Sequence, residues 1–303
     1  MQFILVTLLV LKMIEPLFIS TTFIEDGSPI SNALNMCKNL DIEGIELGSN
    51  HCFECDYSYI KNYKFRLLTH NYFPIPKRDF VVNIASRNEQ IRECSINHAK
   101  MAIDFSHDVG AEIYTIHPGF ITDPTGKKRS KYNYDFEFSW DDERHNAHKI
   151  TTEIMYKSLD DLVEYAHKRS VKLAIETEGS MHHHNQLIMQ TPEEYESLFA
   201  LFSPNDLGIN LNIGHLNLAA KFFKFDAFEF ALLIQNSVVA MELSHNFGIN
   251  DDHLPLQKQS WYWPLIFNES FRGLPRILEF RNSTLDELKS SISIFRQYQH
   301  EIF

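Results

Sequence analysis

The stretches Leu207–His215, LGINLNIGH, and Val238–Asn246, VVAMELSHN, carry the reading that decides the fold. Each opens as a short apolar run and closes on residues that titrate or coordinate: Asn212 and His215 in the first, Glu242 and His245 in the second. An apolar run of strand length, rich in Val and Ile, reads as a strand buried on both faces. Outward from these two, the same design recurs at Leu17–Phe23, Ile42–Leu47, Phe65–Asn71, Glu112–His117, Val171–Glu176 and Arg276–Phe280. Helical or mixed segments follow each run. Strands alternating with helices imply βαβ units and a parallel sheet. Eight such units closing on themselves give an α/β fold of the (β/α)8 TIM-barrel class as one domain. An open, doubly wound sheet is the competing architecture.

Helix starts are also written locally. Thr191-Pro-Glu-Glu194 and Thr284-Leu-Asp-Glu287 read as capping boxes, the first with Pro at the opening helical position. Met155, Leu159, Leu162 and Ala166 recur at helical spacing and predict one face turned to the barrel wall.

The bulk properties narrow the function. The 303-residue chain carries a formal net charge of -12, which argues against a nucleic-acid partner, because duplex binding needs a basic face. Cys52 and Cys55 form a C-x-x-C spacing, but Cys37 and Cys94 do not supply the second pair a zinc site of that type needs. Free thiols in a cytoplasmic protein are the expectation. The apolar run Phe3–Leu11 is short of the roughly 20 residues of a membrane helix, so no membrane association is expected. Residues 1–12 are read as an extension ahead of a barrel domain over 13–303, with Met13 as an alternative start. The long polar and aromatic stretch 119–149 follows a strand, so it is read as a lid over the barrel mouth. Its Lys127, Lys128, Arg129 and Lys131 suit a phosphate or simply a solvated face. His182–His184 reads as a solvated loop before a metal tract, and Trp261 to Trp263 as packed or as a sugar platform.

Chemistry concentrates at the strand ends. His70 closes the third strand, His117 the fourth, Glu176 the fifth, Asn212 and His215 the sixth, Glu242 and His245 the seventh, and Glu279 the eighth. Asp251 and His253 follow in the next loop, and Glu46 ends the second strand as a supporting partner. TIM barrels draw catalytic residues from the C-terminal ends of several strands. Carboxylates converging on one mouth repel and lose solvation unless a cation holds them. A divalent metal is therefore the expected cofactor.

The order H…HPG…E…NxGH…E…DxH…E resembles the xylose isomerase-like barrel superfamily over roughly residues 17–300. That group includes sugar and sugar-phosphate isomerases and epimerases, and the endonuclease IV branch. The endonuclease-like resemblance implies metal positions at His70, His117 and Glu176; at Glu176, Asn212, Glu242 and Glu279; and at His215, Asp251 and His253. Asn212 and Glu242 depart from the Asp and His of that branch. The central set then becomes all oxygen, for which Mn²⁺ or Mg²⁺ is expected, with Zn²⁺ as the other candidate. The isomerase resemblance implies one metal and a catalytic pair, Glu176 and Glu279, passing a proton across a metal-stabilised enediolate. His215 would orient a sugar hydroxyl, while His70, His117, His245 and Arg281 would contact substrate. The leading expectation is thus an isomerase or epimerase of a small-molecule sugar or sugar phosphate, with a homodimer or tetramer compatible. Alternatives are a metal-dependent phosphoester hydrolase, a lyase or dehydratase of a keto-sugar acid, and a binding module.

Overall fold

A computed structural model describes residues 15–123, 144–181 and 186–302. The N-terminal extension, the greater part of the expected lid with its four basic residues, and His182–His184 lie outside the described residues.

Eight parallel strands close into one barrel: β1 Leu17–Ser20, β2 Gly44–Leu47, β3 Arg66–His70, β4 Ile113–Ile116, β5 Lys172–Glu176, β6 Gly208–Asn212, β7 Val238–Leu243 and β8 Arg276–Leu278. Pairing of Phe18 with Ile277 closes the circle. All eight expected strands are present: Val238–Leu243 as expected, Leu207–Leu211 moved one residue on to Gly208–Asn212, and the others trimmed at one or both ends. β1 stops at Ser20 because Thr21–Phe23 turns into a 3-10 helix. The outer layer is α1 Ile30–Cys37, α2 Glu89–Val109, α3 Arg144–Lys168, α4 Pro192–Phe199, α5 Ile213–Phe223, α6 Ala227–Ile234, α7 Trp263–Ile266 and α8 Leu285–Ile302. The helical or mixed segment expected after β2 forms no α-helix. A five-residue 3-10 turn, Ser58–Asn62, takes its place and buries Ile60. The stretch expected to form a loop to residue 149 is already helical from Arg144.

Local signals fixed the helices where the sequence placed them. The Glu194 side chain returns to the Thr191 amide at 2.9 Å, and that of Glu287 to the Thr284 amide at 2.7 Å. Met155, Leu159, Leu162 and Ala166 are fully buried against the barrel.

The barrel interior explains where the chemistry sits. Phe18, Leu68, Ile113, Ala174, Ala240 and Ile277 form an apolar layer apart from the helix-facing core. Successive side chains of a strand alternate faces, so two residues onward the same inner face continues. Those positions are Ser20, His70, Thr115, Glu176, Glu242 and Glu279. An apolar floor thus carries a polar tier directly above it. β2 and β6 fit the same scheme with glycine in the floor. A Cβ at Gly44 would stand 2.0 Å from the Phe18 ring, so only glycine lets that ring fill the floor. Glu46 follows two residues after Gly44, and Asn210 and Asn212 follow Gly208.

Candidate functional site

The polar tier and the loops just after it bring five carboxylates, Glu46, Glu176, Glu242, Asp251 and Glu279, together with His70, His117, His215 and His253 in the mouth. His70 Nε2 lies 2.8 Å from Glu176 Oε2, and His117 Nε2 lies 3.2 Å from the same oxygen. His117 turns its other nitrogen to Glu178 at 2.5 Å, which fixes the ring. Across the mouth, His253 Nε2 meets Asp251 at 2.9 Å while its Nδ1 faces Glu279 Oε2 at 3.0 Å. His253 holds a left-handed backbone, φ 47°, which costs about 1 kcal/mol for a non-glycine residue and aims the ring at both carboxylates. His215 stands between the two sides: Nδ1 is 2.9 Å from Glu176 Oε1, and Nε2 is 3.5 Å from Asp251. Gly179 permits this placement, since a Cβ there would lie 2.0 Å from the His215 carbonyl oxygen.

Four groups of donors each converge within 4.8 Å: His70, His117 and Glu176; His215, Asp251 and His253; Glu46, His70 and Glu242; and Glu176, Glu242 and Glu279. The first three combine imidazole with carboxylate, and the first two, with two imidazoles each, have a donor set that fits a divalent ion of the zinc type. The last is different, because Asn212 stands within it. The amide nitrogen of Asn212 donates to Glu176 at 2.9 Å, Glu242 at 2.8 Å and Glu279 at 3.2 Å. Its oxygen accepts the His215 backbone N–H at 3.1 Å and caps α5. The residue expected as the fourth oxygen ligand thus turns its nitrogen, not its oxygen, to the three carboxylates.

Electrostatics separate the carboxylates by role. Burial alone would raise every one of them. For Glu176 the neighbouring His117, His215 and His70 overcome burial and hold it well below the usual range. For Glu279 the His253 ring does the same and holds it at about 2. Glu242 has burial and three carboxylates against it and is pushed well above its ordinary value. Glu46 is raised to about 7, chiefly by burial. Burial opposes a charge on His70, yet Glu46 and Glu176 outweigh it and lift the ring to about 9. Two carboxylates are thus held ionised in a buried, water-poor mouth, the state a proton acceptor requires.

The expected residues do not all join the centre. His245 enters none of the four donor groups. Its backbone pairs with Leu254, and its ring packs on Phe247 and Tyr262. Arg281 lies at the rim with its side chain half exposed, 3.2 Å from Asp251. Among the described residues all four cysteines are free. Tyr262 and Trp263 are buried, so this stretch packs rather than offering an open platform. Two contributors escaped the sequence reading. Glu178 stands two residues after Glu176 on the same side, and Asn210 two before Asn212. The period-two rule applied past the strand end would have found the first, and applied within β6 the second.

A closed parallel barrel whose titratable groups gather at the strands' C-terminal ends defines a TIM barrel with its polar centre where such barrels place their chemistry. The chain belongs to the xylose isomerase-like TIM-barrel family, whose model matches residues 57–296. Two uncharacterised proteins of Methanocaldococcus jannaschii are each 22% identical. The match to MJ1614 spans 92% of this chain and 96% of that protein. The match to MJ1311 spans 72% of this chain and 66% of that protein, just under two thirds of its length. Among solved structures, a D-tagatose 3-epimerase-like protein shares the fold with a TM-score of 0.74, at 18% identity, over 95% of this chain and 98% of that one. Among the described residues, no helix is long and apolar enough to cross a membrane.

Proposed function

We propose that this chain is a divalent-metal-dependent isomerase or epimerase acting on a sugar or sugar phosphate. The observation that carries the proposal is the pair Glu176 and Glu279, gathered from β5 and β8 and both held ionised. One carboxylate takes the proton from the carbon beside a carbonyl. For isomerisation the same carboxylate returns that proton to the neighbouring carbon; for epimerisation the other carboxylate first takes a proton from solvent or from an adjoining imidazolium such as His253 and delivers it to the opposite face. His70 and His253, each paired with one member of the couple, hold the carboxylates in place and offer N–H groups to sugar oxygens. His215 orients a hydroxyl. Arg281 at the rim and His117 contact the distal part of the ligand, and His245 stands further back. His70, His117 and Glu176, or His215, Asp251 and His253, would hold the ion. Bound there, a divalent cation supplies Lewis-acid stabilisation of a developing enolate oxygen. Likeness of fold to a D-tagatose 3-epimerase-like protein agrees with this reading. A cytoplasmic setting and a homodimer or tetramer complete the proposal.

The test is solvent exchange. Keto- and aldo-sugars and their phosphates, incubated with the enzyme in deuterated water, should gain deuterium at the carbon beside the carbonyl. No exchange with any of them overturns the isomerase reading.

A second reading is favoured by one observation: two imidazole-rich groups, His70 with His117 and His215 with His253, stand beside Glu176 and Glu279 respectively. Such a pair also suits metal-assisted hydrolysis of a phosphoester. Release of phosphate, or scission of abasic-site DNA, without deuterium exchange would select it.

A further inference from the structure

The central group poses a physical problem. Glu176, Glu242 and Glu279 bring three carboxylates within 4.8 Å, a spacing that invites a cation. One atom already stands among them. Asn212 Nδ2 lies 2.9, 2.8 and 3.2 Å from one oxygen of each. An amide nitrogen has two hydrogens and no lone pair to offer a metal. Its two hydrogens serve three acceptors, so one is shared.

The other half of the same side chain settles which way the amide faces. Asn212 is the N-cap of α5, with extended backbone at φ -83° and ψ 113°, and its Oδ1 receives the His215 N–H at 3.1 Å. Turning the amide over would set an NH2 against that N–H and a carbonyl oxygen against three carboxylates. The contacts to Glu176, to Glu279 and to the His215 N–H would turn from favourable to repulsive, and the cap, worth about 1 kcal/mol, would be lost. Helix start and carboxylate cluster thus demand the same orientation.

β6 repeats the device one step deeper. Asn210, on the same strand face, donates to the remaining oxygen of Glu242 at 2.7 Å. Both oxygens of Glu242 therefore accept amide hydrogens. Glu176 divides its oxygens instead. Oε1 faces Asn212, while Oε2 faces His70 and His117.

We infer that Asn212 closes the central position to metal, its amide standing where a cation shared by Glu176, Glu242 and Glu279 would stand. The group of Glu46, His70 and Glu242 is closed in the same way, since both Glu242 oxygens already accept amide hydrogens, and divalent ions then bind at the flanking groups, through Glu176 Oε2 with His70 and His117, and through His215, Asp251 and His253. The inference rests on reading the mouth as metal-dependent. Its effect is to replace a removable charge at the centre by a fixed dipole, so that the catalytic carboxylates keep their spacing whether or not the flanks are loaded.

The experiment counts ions rather than turnover. Chelator-stripped protein is titrated with Zn²⁺ and with Mn²⁺ by calorimetry, and bound metal is measured by mass spectrometry after dialysis. Glu242→Gln should bind the same number of equivalents as the parent, whereas His117→Ala should bind one fewer. Asn212→Asp should bind one more, because aspartate keeps the α5 cap with one oxygen and turns the second on the cluster. Loss of an equivalent in Glu242→Gln, or no gain in Asn212→Asp, overturns the inference. Either variant decides if the other fails to fold. Since no substrate enters the assay, absence of sugar turnover would sink the proposed reaction without touching this result.

Discussion

The barrel buries charge at both ends, and the two ends treat it in opposite ways. Below the apolar floor, at the N-terminal end of the strands, Arg276 is fully buried at the start of β8. Its guanidinium donates to the carbonyls of Ile266, Leu274 and Phe271 at 2.6–3.1 Å and lies 3.6 Å from Glu15. Glu15 in turn accepts the Gly273 amide at 2.7 Å. Charges are matched, and every arm of the fork is used. At the mouth, four buried carboxylates crowd one another, and His70 Nδ1 is buried without a hydrogen-bond partner. Complete pairing marks a structural charge. Crowding of like charges on an apolar floor marks a site kept for something the fold itself does not need.

That contrast breaks most readily at the mouth. Glu176→Gln and Glu279→Gln should each lower deuterium exchange about a thousandfold, the scale of a lost general base. Activity within tenfold of the parent removes that residue from the mechanism.

Below the floor the order reverses. Arg276→Met leaves Glu15 buried and unpaired and should cost about 3–5 kcal/mol in urea unfolding. Exchange activity of the fraction that remains folded should be unchanged. A loss under 1 kcal/mol would mean that this pair is not the support described above.

Acid sharpens the comparison further. His51 and His98 sit in the frame, and burial pushes each down to about 4. Their unfolded rings protonate near pH 6.5, but the folded rings do so only near 4. Their contribution is therefore complete above pH 6.5 and falls away as pH drops through that window, by about 3 kcal/mol for each histidine. His70 and His253, raised to about 9, contribute with the opposite sign: their share is complete below pH 6.5 and is lost as pH rises through 9. Glu46 and Glu242, raised above their ordinary values, gain stability over the same fall in pH, so the test is the difference between proteins: between pH 6.5 and 4 His98→Gln should lose less stability than the parent in urea unfolding. Equal losses in the two proteins contradict the assignment.

The smallest effect belongs to neither end. Arg66 and Glu112 form a two-pronged pair on the outer wall at 2.7–2.8 Å, with both side chains nearly half exposed. Glu112→Gln should shift stability by less than about 1 kcal/mol, because solvent and salt screen exposed pairs. A larger loss would show that the outer wall, too, depends on matched charge.

Much of this site is legible in the chain order. His70, His117, Glu176, His215, Glu242, Asp251, His253 and Glu279 all stand at or just after strand ends, and the barrel brings every one of them into a donor group. His245 shares that sequence position and is left out, because the loop after β7 turns back to pair with Leu254. Asn212 was legible as a residue in the centre and illegible as a donor. Its amide orientation depends on where the first turn of α5 points.

By itself the sequence determined the eight strands, the capped helices and the identity of the group at each strand end. Those features follow from residue spacing and side-chain chemistry within a few residues of chain. Only the tertiary structure decided which of those groups meet, which carboxylates stay ionised, and that an amide nitrogen stands among three of them. Such choices depend on the stagger of the closed barrel and on contacts between strands far apart in sequence, where burial and charge, rather than local propensity, set the outcome.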